Sequence, residues 1–245
     1  MTVSAPSAAM RLIGADPGPL VDEVAWMGAI LPLDGARLIE LGCGKAEVTR
    51  ALALTGRLRS ILALEVDRAA HAANLAAPPT PGVTFAEGGA EAIPAPDASA
   101  DVVLMLKSLH HVPGPLLDDA LREVARVLAP GGLAWIVEPV FAGPFNEILR
   151  LFHDEEQVRQ AAFAALGRAV DAGTLELVDE RFAQVRRVFP SFAAFEDRVL
   201  GVTHTEHRLS PELLAEVRRR FEAHLGPDGA VFDQPLRVDL LRRPR

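Results

Sequence analysis

Two glycines and three carboxylates in the first third of the chain have the types and spacing to hold a nucleoside. Gly42-Cys43-Gly44 follows the short apolar run 38–41, which carries Glu40; Glu47 opens the helical stretch 46–54; Glu65 lies near the end of the next apolar run, 61–66. Glycine is required where a strand end turns sharply and brings its backbone close to a ligand. A carboxylate at the tip of the second strand suits the paired hydroxyls of a ribose. Strand, Gly-x-Gly turn, helix, strand and acid together describe a nucleoside-binding α/β unit.

The residue after the turn narrows the choice of nucleoside. Dinucleotide-binding turns read G-x-G-x-x-G, whose third glycine permits close helix–strand packing. The sixth position here is Glu47. A carboxylate at a helix start sits where a pyrophosphate would bind and repels it. S-adenosylmethionine has no phosphate and carries a cationic sulfonium, so Glu40 and Glu47 are compatible with it. A nicotinamide-dependent oxidoreductase is correspondingly disfavoured.

The next hundred residues resemble a class I S-adenosylmethionine-dependent methyltransferase, of the broad group that includes the ubiquinone/menaquinone methyltransferases. The carrying segments are Leu38–Lys45 (its first motif), Ala63-Leu64-Glu65-Val66-Asp67, Gly88-Gly89-Ala90-Glu91-Ala92-Ile93-Pro94, Asp101–Met105 with Leu109-His110-His111-Val112, and Val127-Leu128-Ala129-Pro130-Gly131-Gly132. They occur in the family's order and spacing over about residues 35–140. The resemblance implies cofactor contacts at Glu40, Gly42, Cys43, Gly44, Glu65, Val66, Gly89, Ala90, Glu91 and Leu106. Two positions depart from the pattern. Ala46 stands at the third glycine, and Gly89 replaces the aspartate that usually bonds the adenine amino group, leaving backbone near Ala90 and the Glu91 carboxylate.

Methyl transfer from a sulfonium is an in-line displacement for which alignment and exclusion of water can suffice. A base is needed only when the acceptor must lose a proton. His110, His111, Glu138 and His153 are the candidates, the first three at the carboxyl ends of strands four and five, where open α/β sheets bind ligands. Each histidine also has a structural reading, and Glu138 also reads as a simple strand end. Lys107 reads either as a partner for a substrate carboxylate or as a solvated cation. Cys43 reads as a backbone element of the turn. His204 and His207, with Glu206 between them, are better read as a solvated loop than as a metal site, so no metal is expected.

The elements that must position these residues alternate along the chain. A helix is expected over 19–31, from Leu20, Val24, Met27 and Leu31 at helical spacing. Strands are expected at 37–41, 60–66, 83–86, 101–106 and 133–137, and a helix over 115–128. Beyond Gly143 the pattern predicts one long helix over 145–170, a strand at 182–188, a short helix near 192–200, a helix capped by Ser210 with Pro211 at its first turn, and a last strand at 236–241. The predicted fold is α/β: a Rossmann-like, seven-stranded, mostly parallel sheet with helices on both faces and a helical cap insertion. Residues 1–142 would form the cofactor-binding core with its N-terminal helix, and 143–245 the cap segments and the two strands that complete the same domain. Segments 143–173 and 191–226 would make the cap, with Phe145, Phe152 and Phe163 as apolar walls. The same apolar stripes would equally serve a homodimer interface.

Composition bounds the partners. The 245 residues carry a net charge of −8, which argues against nucleic acid and leaves a small-molecule acceptor. A single cysteine rules out a disulfide framework and suits a reducing, cytoplasmic compartment. No apolar run approaches the roughly 18 residues of a membrane span, and residues 1–9 lack the basic start and apolar core of a secretory signal. The competing functional class is a non-catalytic S-adenosylmethionine-binding or interaction protein of the same fold.

Overall fold

The computed structural model describes residues 10–202, 205 and 207–245. Its centre is a sheet built from β1 (Arg37–Leu41), β2 (Ser60–Glu65), β3 (Val83–Glu87), β4 (Ala100–Leu106), β5 (Leu128–Pro139), β6 (Glu176–Phe189) and β8 (Gly229–Arg242), in the order β3-β2-β1-β4-β5-β8-β6, with the two-residue β7 (Leu225–Gly226) paired to β8. The five strands from β3 to β5 are parallel; β8 runs antiparallel between β5 and β6. The expected α/β architecture is therefore present. β1, β2 and β4 are nearly continuous apolar runs because both of their faces are covered.

One face of the sheet receives α4 (Leu117–Val127) and α6 (Glu156–Asp171), which bury Leu121, Val124, Ala162 and Leu166 against Val103, Met105 and Ile136. The other packs α1 (Glu23–Ile30) and α2 (Glu47–Leu54) over Leu38, Leu104 and Trp135 through Met27 and Leu52. Trp26 meets Trp135 edge to face at 5.2 Å. α3 (Arg68–Ala76) connects β2 to β3. α1 begins at Glu23 rather than Pro19, because Asp22 caps it by accepting from Ala25 N at 2.8 Å. Leu20 instead forms a bridge with Gln184.

The expectation of one helix over 145–170 is corrected. The chain breaks at 150–155 into α5 (Pro144–Leu149) and α6, and the two belong to different layers. α6 packs on the sheet face, so Phe163 lies against Arg237, whose guanidinium carbon sits 4.4 Å from the ring centre. α5 joins α7 (Phe192–Phe195) and α8 (Pro211–Glu222) in a separate apolar cluster with Phe145, Phe189, Phe221 and Phe232 at its heart. Phe145 is thus a core residue of the cap rather than a pocket wall. The cap stands on a two-stranded ribbon: β5 stops at Pro139, opposite Leu236, while β6 and β8 stay paired from Gln184↔Pro235 out to Phe189↔Ala230. The ribbon therefore continues past the carboxyl edge of the parallel strands and carries the cap to that edge.

Candidate active site

The glycine turn is fixed by hydrogen bonds to the neighbouring strand end. Gly42 N and Cys43 N both donate to Leu64 O, at 2.9 and 3.0 Å. Glu65 Oε2 accepts from Gly44 N at 2.6 Å, and Oε1 from Val66 N and Asp67 N at 2.8 Å each. A carboxylate offers about four lone-pair sites, so Glu65 staples the turn and keeps capacity on Oε2 for a ribose hydroxyl. Asn74 on α3 braces the other side by donating from Nδ2 to Gly44 O at 2.7 Å. Ser108 Oγ donates to Leu41 O at 2.7 Å, tying the exit of β4 to the start of the turn.

Gly42, Gly44, Ala46 and Lys107 all have left-handed backbone, with φ of 75°, 53°, 56° and 63°. Such conformations cost an L-residue about 1–2 kcal/mol each, and they gather at the carboxyl ends of β1 and β4. A side chain at Gly42 would drive its Cβ to 2.7 Å from Ser108 Cβ, whereas nothing stands within 4 Å of one at Gly44. The space beside Gly44 is therefore open for a ligand to lie against the backbone.

The charges around this turn are acidic. Glu40 is buried, accepts from Thr49 Oγ1 at 2.5 Å, and burial raises its pKa to about 7 against the pull of Thr49 and Lys107. Burial, with the Glu40 and Glu65 charges, pushes the Cys43 thiol up to about 12, so Cys43 is a neutral part of the turn and no nucleophile. Lys107 is only partly exposed and is held by an ion pair: its Nζ donates to both carboxylate oxygens of Glu23, at 2.6 and 2.8 Å, and ties α1 to the exit of β4. Both sequence readings of Lys107 are corrected by that pair. Arg187 reaches in from the cap ribbon, held by Gln234 Oε1 at 2.5 Å; burial lowers its pKa, and Glu23 and Glu47 counteract that.

On the other side of Glu65, the segment 88–94 is anchored from α4. Glu123 accepts from Ile93 N at 2.9 Å and Arg126 donates to Ile93 O and Ala95 O at 2.9 and 2.8 Å. A Cβ placed on Gly89 would collide with the Glu91 carboxylate. Glu91 therefore occupies the volume that a side chain at position 89 would take. Ala90 is buried, Leu106 nearly so, and the Val66 side chain is exposed. Glycine backbone, an acid on β2 with spare acceptor capacity and a carboxylate near 89 fit the three parts of a sulfonium nucleoside.

The catalytic candidates form one connected group. His110 is buried; Nδ1 meets Glu138 Oε2 at 2.5 Å, and Nε2 faces Glu155 Oε1 at 3.4 Å. Burial alone would lower its pKa, but the two carboxylates outweigh that and raise it to about 9. Glu138 Oε1 also accepts from Leu109 N at 3.1 Å. Glu155, just before α6, accepts from His153 Nε2 at 2.8 Å and from Arg159 Nη2 at 2.6 Å. Burial works against its ionisation, yet hydrogen bonds from His110 and His153 and the charges of His110 and Arg159 hold its carboxyl well below the usual range. His111 is exposed, with its ring centre 4.1 Å from that of His110. His153 meets His207 edge to face at 4.9 Å, and His204 and Glu206 lie outside the described residues.

His110, His111 and Glu138 thus lie together, His153 joins them through Glu155, and His110 is engaged at both nitrogens. Glu155, Arg159, Asn74 and Thr49 escaped the sequence reading. The 154–156 acidic run reads as a wet helix face, and only the helix break that turns Glu155 inward distinguishes it.

Comparison with known proteins agrees with this geometry. Residues 39–136 match the family model described as a methyltransferase domain. Phthiotriol/phenolphthiotriol dimycocerosates methyltransferase 1 of Mycobacterium ulcerans is 31% identical over 171 residues, 69% of this chain and 61% of the relative. The 27-O-demethylrifamycin SV methyltransferase of Amycolatopsis mediterranei is 40% identical over 118 residues, 46% of this chain and 41% of the relative. The chain thus spans less than two thirds of these relatives. In fold it is similar to a SAM-dependent methyltransferase from Methanosarcina mazei, with a TM-score of 0.56 at 15% identity, covering 92% of this chain and 99% of that one. Residues 39–136 thus carry a methyltransferase domain, and the chain has the fold of a solved S-adenosylmethionine-dependent methyltransferase.

Proposed function

We propose that the protein transfers the methyl group of S-adenosylmethionine to a small-molecule acceptor held between the carboxyl edge of the sheet and the cap. The carrying observation is that one short segment, 106–111, joins the two halves of the site: Ser108 braces the glycine turn, and two residues later His110 and His111 stand in the histidine–carboxylate group. The cofactor, when bound, supplies the electrophilic methyl. Gly42, Gly44, Glu65, Ala90 and Glu91 would hold and orient it.

The exposed or partly exposed rings, His111 and His153, are in place to take a proton from an acceptor, whereas His110 serves as their buried support. Support for a small acceptor comes from the two relatives, both named for small-molecule substrates, and from the acidic net charge of −8. The single buried cysteine is in keeping with a reducing, cytoplasmic setting, and among the described residues no helix is long and apolar enough to cross a membrane. The test is incubation of the pure protein with S-adenosylmethionine and fractionated small-molecule extracts. Mass spectrometry should show S-adenosylhomocysteine together with a product one methyl group heavier than its precursor. Binding of the cofactor without turnover on any acceptor would favour the non-catalytic reading.

A further inference from the structure

The histidine–carboxylate group has more order than proton transfer needs. Donor atoms of His110, His111 and Glu155 all lie within 4.8 Å of one another. The 3.4 Å between His110 Nε2 and Glu155 Oε1 matches the edge of a tetrahedron with bonds of about 2.1 Å, the length of zinc–nitrogen and zinc–oxygen bonds. Three protein donors leave a fourth position for a water or an acceptor oxygen, and His153 Nε2 holds the same Glu155 oxygen at 2.8 Å from outside the set. The surrounding residues orient these donors as metal sites do. Glu138 holds Nδ1 of His110 and leaves Nε2 to face the other donors, the carboxylate–histidine arrangement that supports metal-ligating imidazoles. Arg159 occupies Oε2 of Glu155 and leaves Oε1 turned toward the histidines.

We propose that His110, His111 and Glu155 form a binding site for one divalent ion of the zinc type, on the acceptor side of the methyl-donor turn. Two imidazoles and one carboxylate oxygen are a borderline donor set, which favours Zn²⁺ over Mg²⁺ or Ca²⁺. Binding displaces the proton from Nε2 of His110 and leaves the Nδ1 proton on the hydrogen bond to Glu138. An ion there would acidify an acceptor oxygen bound at its fourth position, with His111 then a ligand and His153 left as the proton acceptor, so the site extends the methyl-transfer reading without depending on it.

The test titrates chelator-treated full-length protein with Co²⁺, a spectroscopic substitute for Zn²⁺, and then displaces it with Zn²⁺. The expected result is one equivalent bound, with the intense visible absorption of a four-coordinate ion. His111→Ala and Glu155→Ala should each lose that spectrum, and Glu138→Gln should weaken binding about 10–100-fold. Circular dichroism and S-adenosylhomocysteine binding, read on the same samples, report folding and the donor site separately. His224→Ala, whose ring packs against Phe232 outside the donor cluster, should bind as the parent does. No stoichiometric binding by the parent protein would overturn the proposal, as would a spectrum unchanged in both His111→Ala and Glu155→Ala.

Discussion

His110, at the exit of β4, faces Glu155, at the entry to α6, across 3.4 Å inside the protein, and Arg159 bonds the far oxygen of the same carboxylate at 2.6 Å. This contact joins the break between α5 and α6 to the carboxyl edge of the sheet. It lets one chain segment serve the sheet face while the preceding one serves the cap. The pair is buried, so its worth lies less in net stabilisation than in the cost of breaking it.

Replacing His110 by Ala would leave Glu138 and Glu155 facing each other without the intervening ring. Loss of one partner from a buried charged group costs about 3–5 kcal/mol. Urea unfolding of His110→Ala should show a midpoint lowered to match, and a variant as stable as the parent would mean that the group is not a structural tie.

Glu40 carries a predicted pH dependence. Its pKa is raised from 4.5 in a free side chain to about 7 in the folded protein, chiefly by burial. A raised carboxyl pKa favours folding while the group is protonated in the fold. That stability is complete below about 4.5 and is lost as pH rises through about 7. Glu40→Gln should therefore gain roughly 1–3 kcal/mol over the parent at pH 8 and little at pH 5, measured by denaturant unfolding at both values. The same variant should bind S-adenosylhomocysteine more weakly if the carboxylate serves the cofactor.

The two turn glycines should respond differently. Gly42→Ala places a Cβ at 2.7 Å from Ser108 Cβ, so the turn must move and both stability and cofactor binding should fall. Gly44→Ala meets no protein atom within 4 Å. It should cost only the backbone strain of about 1–2 kcal/mol while reducing cofactor affinity by filling the ligand's side of the turn. Calorimetric titration on both folded variants separates these outcomes; full affinity in Gly44→Ala would remove the ligand from that face.

The Gly89 position yields a double-mutant test. Gly89→Asp alone would force two carboxylates into one volume with Glu91 and should weaken both the fold and cofactor binding. Glu91→Ala alone should weaken cofactor binding by about 1.5–3 kcal/mol, the worth of a hydrogen bond to a charged group. The double variant Gly89→Asp with Glu91→Ala should recover most of that loss. Additive losses in calorimetry would mean that Glu91 does not take the place of the absent aspartate.

The parts of this molecule that were legible in sequence are those whose contacts are local in pattern. β1, the glycine turn and Glu65 declare themselves because a buried parallel strand must be apolar and its sharp exit needs glycine. The amphipathic stripe of α4 did the same. Lys107 was not legible, because its partner Glu23 lies 84 residues earlier and only the packing of α1 brings them together. The break between α5 and α6 was hidden because both halves keep a helical apolar rhythm, although one faces the cap and the other the sheet. Glu155 and Arg159 look like solvated helix residues until that break turns them toward His110.

The most direct test of the central claim is a thermal-shift and calorimetric titration of the full-length protein with S-adenosylhomocysteine. A ligand that binds only the folded state at about a hundred times its dissociation constant adds about 2.7 kcal/mol, which for a chain of this length corresponds to a rise in Tm of roughly 5–10 °C. The account predicts that rise, saturable one-to-one binding, and its loss in Gly42→Ala. An unchanged Tm and no heat of binding on folded protein would contradict it.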